Sequence, residues 1–378
     1  MRVLFTACPL HGHVNTLLPL AQAAQRSGHE AIFATGADLV PHVERHGLAA
    51  WPVGPTHLEG GNGSATAWIE YFLTMAERRA HDLVPRAAEW RPDLVVSEET
   101  ELAGPVAAAA AGARRVVHGL GQMPPIRIWD AFAPTVEALH QRWGVSGGDA
   151  LRDETYLDVC PPSLQPEGER IWPHSRPIRP VPGLPVAGER LPDTLTARRR
   201  ERMVHLTLGT VFHDAPAVFE AALAGLRRLP IDLVVTTGPG TDPERFGPQP
   251  ANVLLAPYLP HALLLPRCRL VVSHGGAGIM FGALTHGLPQ LVLPQGADQF
   301  MNADAVRRTG SGLVLEPGHV TADAVAAAAG RLLTEPSFSA AAARLGAEIS
   351  AMPGPDEVLA ALWTDGDQTS QRMSVSRR

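Results

Sequence analysis

The sequence predicts an α/β protein made of two Rossmann-like domains that face a central cleft. Three observations point there. The chain opens with a strand–helix–strand unit, Val3–Thr6, Val14–Ser27 and Glu30–Thr35. From Cys160 to Pro192 proline and glycine are so dense that the stretch reads as an extended interdomain linker. Beyond it the rhythm restarts, with strands Val204–Leu208 and Ile231–Thr236 on either side of a helix, Ala215–Leu226. The expected division is 1–185, with the linker from about residue 160, then 200–364 and a polar tail, 365–378. At 378 residues and 45% hydrophobic content, two domains of ordinary size can bury their cores.

The first loop reads Cys8-Pro9-Leu10-His11-Gly12-His13 and lacks the G-x-G-x-x-G spacing that receives a dinucleotide pyrophosphate. It puts two histidines at the carboxyl edge of the first strand instead. A histidine there can serve as a general base, because its pKa lies near working pH, or can make a structural hydrogen bond. Gly60–Ser64 reads as a loop and Ala67–Leu83 as an amphipathic helix bearing Trp68, Tyr71 and Phe72. The strand Arg91–Ser97 runs into Glu98-Glu99-Thr100-Glu101, followed by a helix, Leu102–Ala111. A carboxylate at that edge can orient a histidine of the first loop, or simply enrich a first helical turn in acid. After the strand Val116–His118, the segment Pro124–Gly144 carries Trp129, Phe132 and Trp143.

In the second half, the run Arg198–Arg202 reads as a solvated entry to the domain. Gly209-Thr210 forms a turn at a strand end facing the cleft. The stretch from Arg269 to Ala303 organises the rest. Leu270–Ser273 is a buried strand, and His274-Gly275-Gly276-Ala277-Gly278 must turn tightly and expose backbone N–H groups. Ile279–His286 is helical and Gly287 closes it. Strand, glycine loop and helix N-terminus together bind phosphate, because the first N–H groups are unpaired and the helix dipole favours an anion. A βα turn that merely needs glycines is the plainer alternative. The next strand, Gln290–Leu293, ends in a polar cluster of Asp298, Gln299 and Asn302, at the edge where open α/β sheets hold ligands. An anion site beside a carboxylate and an amide suits a nucleotide-sugar. The tail carries two alanine-rich helices, Thr321–Leu333 and Ser337–Ser350, then Asp356–Trp363.

Composition narrows the chemistry. Net charge is −6, which suggests no nucleic-acid surface. All 32 basic residues are arginine, so a P-loop lysine, a Schiff base and a pyridoxal-phosphate lysine are excluded. Three cysteines, Cys8, Cys160 and Cys268, show neither metal-type spacing nor a disulfide framework. The first strand begins at Arg2, leaving no room for a signal peptide, and no apolar run approaches the roughly 18 residues of a membrane span. A cytoplasmic protein without membrane association is expected.

The histidine–glycine loop, the small-residue helix after it and the Pro294-Gln295-Gly296-Ala297-Asp298-Gln299 end resemble the donor-binding signature of bacterial natural-product glycosyltransferases. Those are family 1-like enzymes of the two-domain GT-B architecture, such as the antibiotic, macrolide and enediyne deoxysugar transferases. The resemblance covers nearly the whole chain and implies roles. The family's catalytic histidine falls on His13 of Gly12-His13-Val14-Asn15-Thr16, with Thr16 in place of the usual proline. Its acidic partner, usually aspartate, falls on Glu98, and Glu99 remains open beside it. Thr210 and Gly209 contact the donor. Tyr258 stacks on the base and Leu259 pairs with its edge through the backbone, in Pro257-Tyr258-Leu259-Pro260-His261. His274, Gly275, Gly276, Ala277 and Gly278 hold the diphosphate, while Asp298 and Gln299 orient the sugar. Trp68, Phe72, Trp129 and Phe132 are the acceptor-side aromatics, with packing in the core the alternative for each.

Two departures bear on the donor. Relatives often place Thr or Ser where Ile279 stands, and UDP-sugar users carry a glutamate for the ribose hydroxyls where Gly282 stands. A buried carboxylate meant for a 2′-OH has no partner on a deoxyribose, so glycine favours a dTDP-sugar. The expected activity is an inverting, metal-independent glycosyl transfer from a dTDP- or UDP-sugar cosubstrate to a hydroxyl of an apolar small-molecule acceptor. No resident cofactor is expected, and a homodimer stays open. A GT-B sugar-nucleotide epimerase and a non-catalytic nucleotide-sugar-binding partner protein are the alternatives.

Overall fold

The computed structural model describes residues 1–56, 65–145, 154–168, 171–196, 203–209, 216–238 and 241–364; the side chains of 65–69, 127–129, 132 and 196 fall outside that description. The loop Gly60–Ser64, the run Arg198–Arg202, Thr210 and the tail 365–378 lie outside the described residues.

Two parallel sheets carry the fold. The first has strands β1 (Arg2–Thr6), β2 (Glu30–Thr35), β3 (Ala49–Pro52), β4 (Leu94–Glu98), β5 (Arg114–His118), β6 (Thr155–Asp158) and β7 (Ser175–Pro177) in the order 3-2-1-4-5-6-7. Its helices are α1 (His11–Arg26), α2 (Val40–Arg45), α3 (Ala65–Trp90), α4 (Ala103–Ala111) and α5 (Ile126–Arg142). The central strands are buried on both faces, which is why they read as unbroken apolar runs rather than alternating ones. The order reverses between β1 and β4, and His13, on the first turn of α1, and Glu98, the last residue of β4, lie at that switch point.

After α6 (Asp193–Thr196) the second sheet has β8 (Met203–Thr207), β9 (Asp232–Thr236), β10 (Val253–Ala256), β11 (Leu270–Ser273), β12 (Gln290–Val292) and β13 (Gly312–Val314), ordered 10-9-8-11-12-13. The helices are α7 (Pro216–Leu226), α8 (His261–Leu264), α9 (Ala277–Thr285), α10 (Gln299–Thr309), α11 (Ala322–Thr334) and α12 (Pro336–Ala351). Its switch point lies between β8 and β11, beside the His274 loop.

Two local expectations change. The first loop is shorter than its sequence reads: α1 starts at His11, with Leu10 extended at the N-cap, so His13 sits on the first helical turn. The proline-rich stretch is not linker throughout, because Ser175–Pro177 adds β7. It does so at the sheet edge, where proline's missing N–H costs no ladder bond.

A final helix over residues 355–364 returns to the first sheet. Val358, Leu359 and Leu362 are buried in one cluster with Val3 and Phe5. Arg26 pairs with Asp356, Arg114 donates to the Leu362 carbonyl at 2.9 Å, and His29 meets Trp363 edge-on. Among the described residues no helix is long and apolar enough to cross a membrane.

Candidate active site

His13 and Glu98 are brought together by β1 and β4, neighbours in the sheet. The His13 Nδ1–H donates to the Glu98 carboxylate Oε1 at 3.0 Å, which leaves Nε2 as the ring nitrogen free of this pair. Thr100 Oγ1 lies 3.2 Å from the same Nδ1, and its hydroxyl donates to Glu98. The backbone N–H groups of Cys8 and Thr100 donate to the two carboxylate oxygens at 3.1 and 2.6 Å. Side-chain exposure is 17% for His13 and 0% for Glu98. Burial pulls the Glu98 carboxyl upward, but the His13 charge, the His13 hydrogen bond and the two backbone donors outweigh it and bring it down to about 2. An ionised, immobile carboxylate thus orients His13 and is placed to stabilise its imidazolium.

Glu99 takes no part in that pair. It accepts from the Tyr156 hydroxyl at 2.6 Å, and burial raises it to about 8 despite that bond, with the nearby Glu98 charge adding to the rise. Glu101 turns the other way and pairs with Arg79; both side chains are fully buried. The three acids after β4 therefore have three separate partners.

Cys8, His13 and Glu98 form the one group of side chains, among the described residues, close enough to share a metal ion. They fit a cation poorly. Both Glu98 oxygens already accept hydrogen bonds, and burial pushes the Cys8 thiol well up, so it keeps its proton.

Across the cleft, Gly276 caps α9 with an extended backbone and no side chain; the Ala277 N–H is taken by the Asp298 carboxylate, and no capping side chain covers the other N–H groups of the first turn. The His274 ring is held beside them by close approach. A Cβ on Gly209 would stand 2.6 Å from His274 Cε1, and one on Gly276 2.6 Å from Nε2. Gly275 adopts φ +85°, which favours glycine. Burial lowers His274 to about 4, so it meets a ligand as a neutral imidazole, and its Nδ1 is buried without a partner among the described residues. Ile279 does not face this loop; it is buried in a cluster with Leu259 and Leu264.

Asp298 lies at the mouth of α10; burial pushes its carboxyl up, while the Asn302 amide, the His13 charge from the opposite wall and the backbone N–H groups of Asp298 and Ala277 pull it back. Its Oδ2 accepts from Asn302 at 2.8 Å. Gln299 is buried, and its Oε1 accepts from the Gln295 and Gly296 N–H groups. That oxygen shapes the turn, so only the amide nitrogen of Gln299 is left for a ligand. Ala297 stands at φ +52°, the left-handed region, one residue before Asp298.

A cavity of about 160 Å³ runs between the two halves, lined among others by Asn15, Pro182, Tyr258, His261, Gly278 and Phe281. Tyr258 is 65% exposed at its rim, and Leu259 is buried behind it. Gly282 is closed off: a Cβ there would stand 2.8 Å from Leu265 Cδ1 and 3.3 Å from Pro182 Cβ. The Phe72 ring lies 5.7 Å from that of His13. The side chains of Trp68, Trp129 and Phe132, and the whole of Thr210, lie outside the described residues. Sequence reading missed Thr100, Tyr156 and Gln122 as members of the site. Thr100 alone left a signal, a hydroxyl two residues beyond the carboxylate it caps.

Comparison with known proteins places the chain in a family. Residues 56–209 match the N-terminal domain of the erythromycin biosynthesis protein CIII-like family, and residues 220–364 match its C-terminal domain. The chain is 36% identical over 340 residues to the L-demethylnoviosyl transferase of Streptomyces niveus, covering 83% of this chain and 85% of that protein. It is 30% identical over 423 residues to the TDP-daunosamine transferase DnrS of Streptomyces peucetius, covering 96% of each. Among solved structures, glycosyltransferase VinC in complex with dTDP superposes with a TM-score of 0.82 at 28% identity, over 97% of this chain and all of that one. The glycosyltransferase SnogD from Streptomyces nogalater superposes with a TM-score of 0.79 at 32% identity, over 96% and 99%.

Proposed function

The chain belongs to the erythromycin biosynthesis protein CIII-like glycosyltransferases, and we propose that it moves the sugar of a dTDP-deoxysugar, with inversion and without a metal ion, onto a hydroxyl of an apolar natural-product aglycone. The observation that carries this reading is the His13–Glu98 pair facing Asp298, which sits at the N-terminus of α9 beside the glycine loop.

The acceptor O–H gives its proton to His13 Nε2 as the oxygen attacks the anomeric carbon. The C1–O bond to the diphosphate breaks on the opposite face, and the electron pair leaves with the phosphate. Glu98 meets the positive charge that grows on the imidazole. The N–H groups of α9 and the His274 ring meet the negative charge that grows on the leaving diphosphate, so the leaving group needs no cation in this reading. Asp298 and the Gln299 amide orient the sugar hydroxyls. Phe72 forms part of the acceptor wall beside the base.

The dTDP assignment draws on two supports. Leu265 and Pro182 fill the place where a ribose-binding glutamate would stand, and VinC, a structural relative, binds dTDP. Aglycones of antibiotic type are the substrates by analogy with the named activities of the relatives. Calorimetric titration with dTDP and UDP, followed by mass spectrometry of reactions with dTDP-deoxysugars and polycyclic aglycones, tests the reading. Preferential dTDP binding and acceptor-dependent dTDP release are expected. Binding without release across the acceptors would leave a donor-binding protein in place of a transferase.

A further inference from the structure

Behind the donor cavity two histidines form a chain that ends on a backbone carbonyl. His205 lies in the middle of β8, fully buried, and its Nδ1 is 3.1 Å from the carbonyl oxygen of Val234 on β9. A carbonyl only accepts, so His205 Nδ1 carries the proton. His205 Nε2 lies 3.2 Å from Nε2 of His261, the first residue of α8, with the rings crossed at 69°. Burial holds His205 down to about 3 and His261 to about 4, so each ring is neutral and carries a single proton. With its proton on Nδ1, His205 must accept at Nε2, and His261 must donate from its own Nε2. His261 Nδ1 is then left bare. It has no partner among the described residues, and His261 lines the cavity with Tyr258, Gly278 and Phe281.

We propose that His205 is a positioning residue that locks His261 in the tautomer with an unprotonated Nδ1, and that this nitrogen accepts a hydrogen bond from a neutral O–H or N–H group of the donor nucleoside. The inference rests on the dTDP-sugar reading above and adds a polarity to the pocket wall. A bare imidazole lone pair repels phosphate oxygens, so it keeps the diphosphate at the α9 N-terminus and selects the nucleoside for the His261 side. Two groups of dTDP can donate there, the 3′-hydroxyl and the thymine N3–H.

The test starts on the unaltered protein. Long-range ¹H–¹⁵N correlation spectra of the ¹⁵N-labelled chain, with His261 assigned through His261→Gln, report directly which ring nitrogen is protonated. A bare Nδ1 whose resonance moves on adding dTDP is expected. A protonated Nδ1, or a resonance that dTDP binding leaves in place, overturns the inference while the donor site stands. Absence of dTDP binding by calorimetry sinks both readings.

His205→Leu removes the acceptor and should weaken dTDP binding about tenfold, the scale of one lost hydrogen bond in a desolvated site. His205→Gln should restore it, its amide N–H donating to Val234 and its carbonyl accepting from His261. Equal losses in the Leu and Gln variants would reduce His205 to a packing residue and overturn the positioning role. Finally, 3′-deoxy-dTDP and N3-methyl-dTDP separate the two donors. The analogue that loses affinity for the unaltered protein but not for His261→Ala marks the group that His261 receives, and if neither behaves so the acceptor role is wrong.

Discussion

Gln122 and Asn302 join the two halves of the molecule across the floor of the cleft: the Gln122 amide donates to Asn302 Oδ1 at 3.0 Å. The Asn302 amide then donates to the Gly275 carbonyl at 2.9 Å and to Asp298 Oδ2 at 2.8 Å. Asn302 is only 1% exposed, so every polar atom it owns is committed. Loss of Gln122 leaves a buried acceptor unpaired and frees the Asp298 wall from the first sheet. Gln122→Ala should lower kcat/KM by about fivefold, close to 1 kcal/mol. Asn302→Ala, which breaks three bonds, should cost more. Steady-state kinetics with a fixed acceptor would check the order; equal effects would detach Gln122 from the donor wall.

The acid–base pair predicts a sharp contrast between adjacent residues. His13→Ala should cut single-turnover transfer by roughly 100- to 10,000-fold. Glu98→Gln keeps the side-chain shape but removes the charge under the imidazolium, and should fall in the same range. Glu99→Gln should stay within a few-fold of the unaltered enzyme, because Glu99 is turned toward Tyr156. Comparable losses at 98 and 99 would contradict the geometry.

The same two carboxyls make opposite contributions to stability with pH. Glu98 drops from an ordinary 4.5 to about 2, so its contribution is present above pH 4.5 and is lost as pH falls through 2. Glu99 rises to about 8, so the unfolded chain ionises it first and native stability declines from pH 4.5 to 8. Denaturation curves of Glu99→Gln should therefore show a stability gain over the unaltered chain that widens from pH 5 to 8. A constant difference would mean the carboxyl ionises normally.

The His274 cradle leaves no space. Gly276→Ala must push the ring or the loop aside, at a cost of about 1–3 kcal/mol for overpacking, and should weaken dTDP binding at least about tenfold. Gly330→Ala, on α11, where a Cβ would meet nothing within 4 Å, is the control and should bind as before. Calorimetry on both variants decides it.

Arg79 and Glu101 form a fully buried ion pair under the acidic loop, with Arg79 also donating to the Val53 carbonyl and Thr6 Oγ1. Arg79→Met strands a buried carboxylate and should cost about 3–5 kcal/mol, read from denaturant titration. The double variant Arg79→Met with Glu101→Leu should recover much of that loss.

Most of the frame was legible in the sequence, because buried parallel strands and glycine-closed helices write their own pattern. The runs at Val3, Leu94 and Leu270 show it, as does the loop at His274. What escaped was of two kinds. Short edge pieces such as Ala49–Pro52 and Ser175–Pro177 carry proline and too few residues to show a period of two. Contacts between distant segments leave no local mark at all. Glu98 and Glu99 look alike in sequence, and only the packing of Tyr156 tells them apart. Gln122 with Asn302, and His205 with His261, become partners only once the sheets are placed.

The return of residues 355–364 to the first sheet has a consequence for anyone recombining such enzymes. A single cut at the linker divides the chain but not the bodies, because the last ten described residues fill the same core as β1. A chimera that exchanges the donor-side half should therefore carry two junctions, one before β8 and one after α12, so that the closing helix keeps its native bed. A circular permutant that moves this helix ahead of Met1 would turn each body into one continuous stretch of chain.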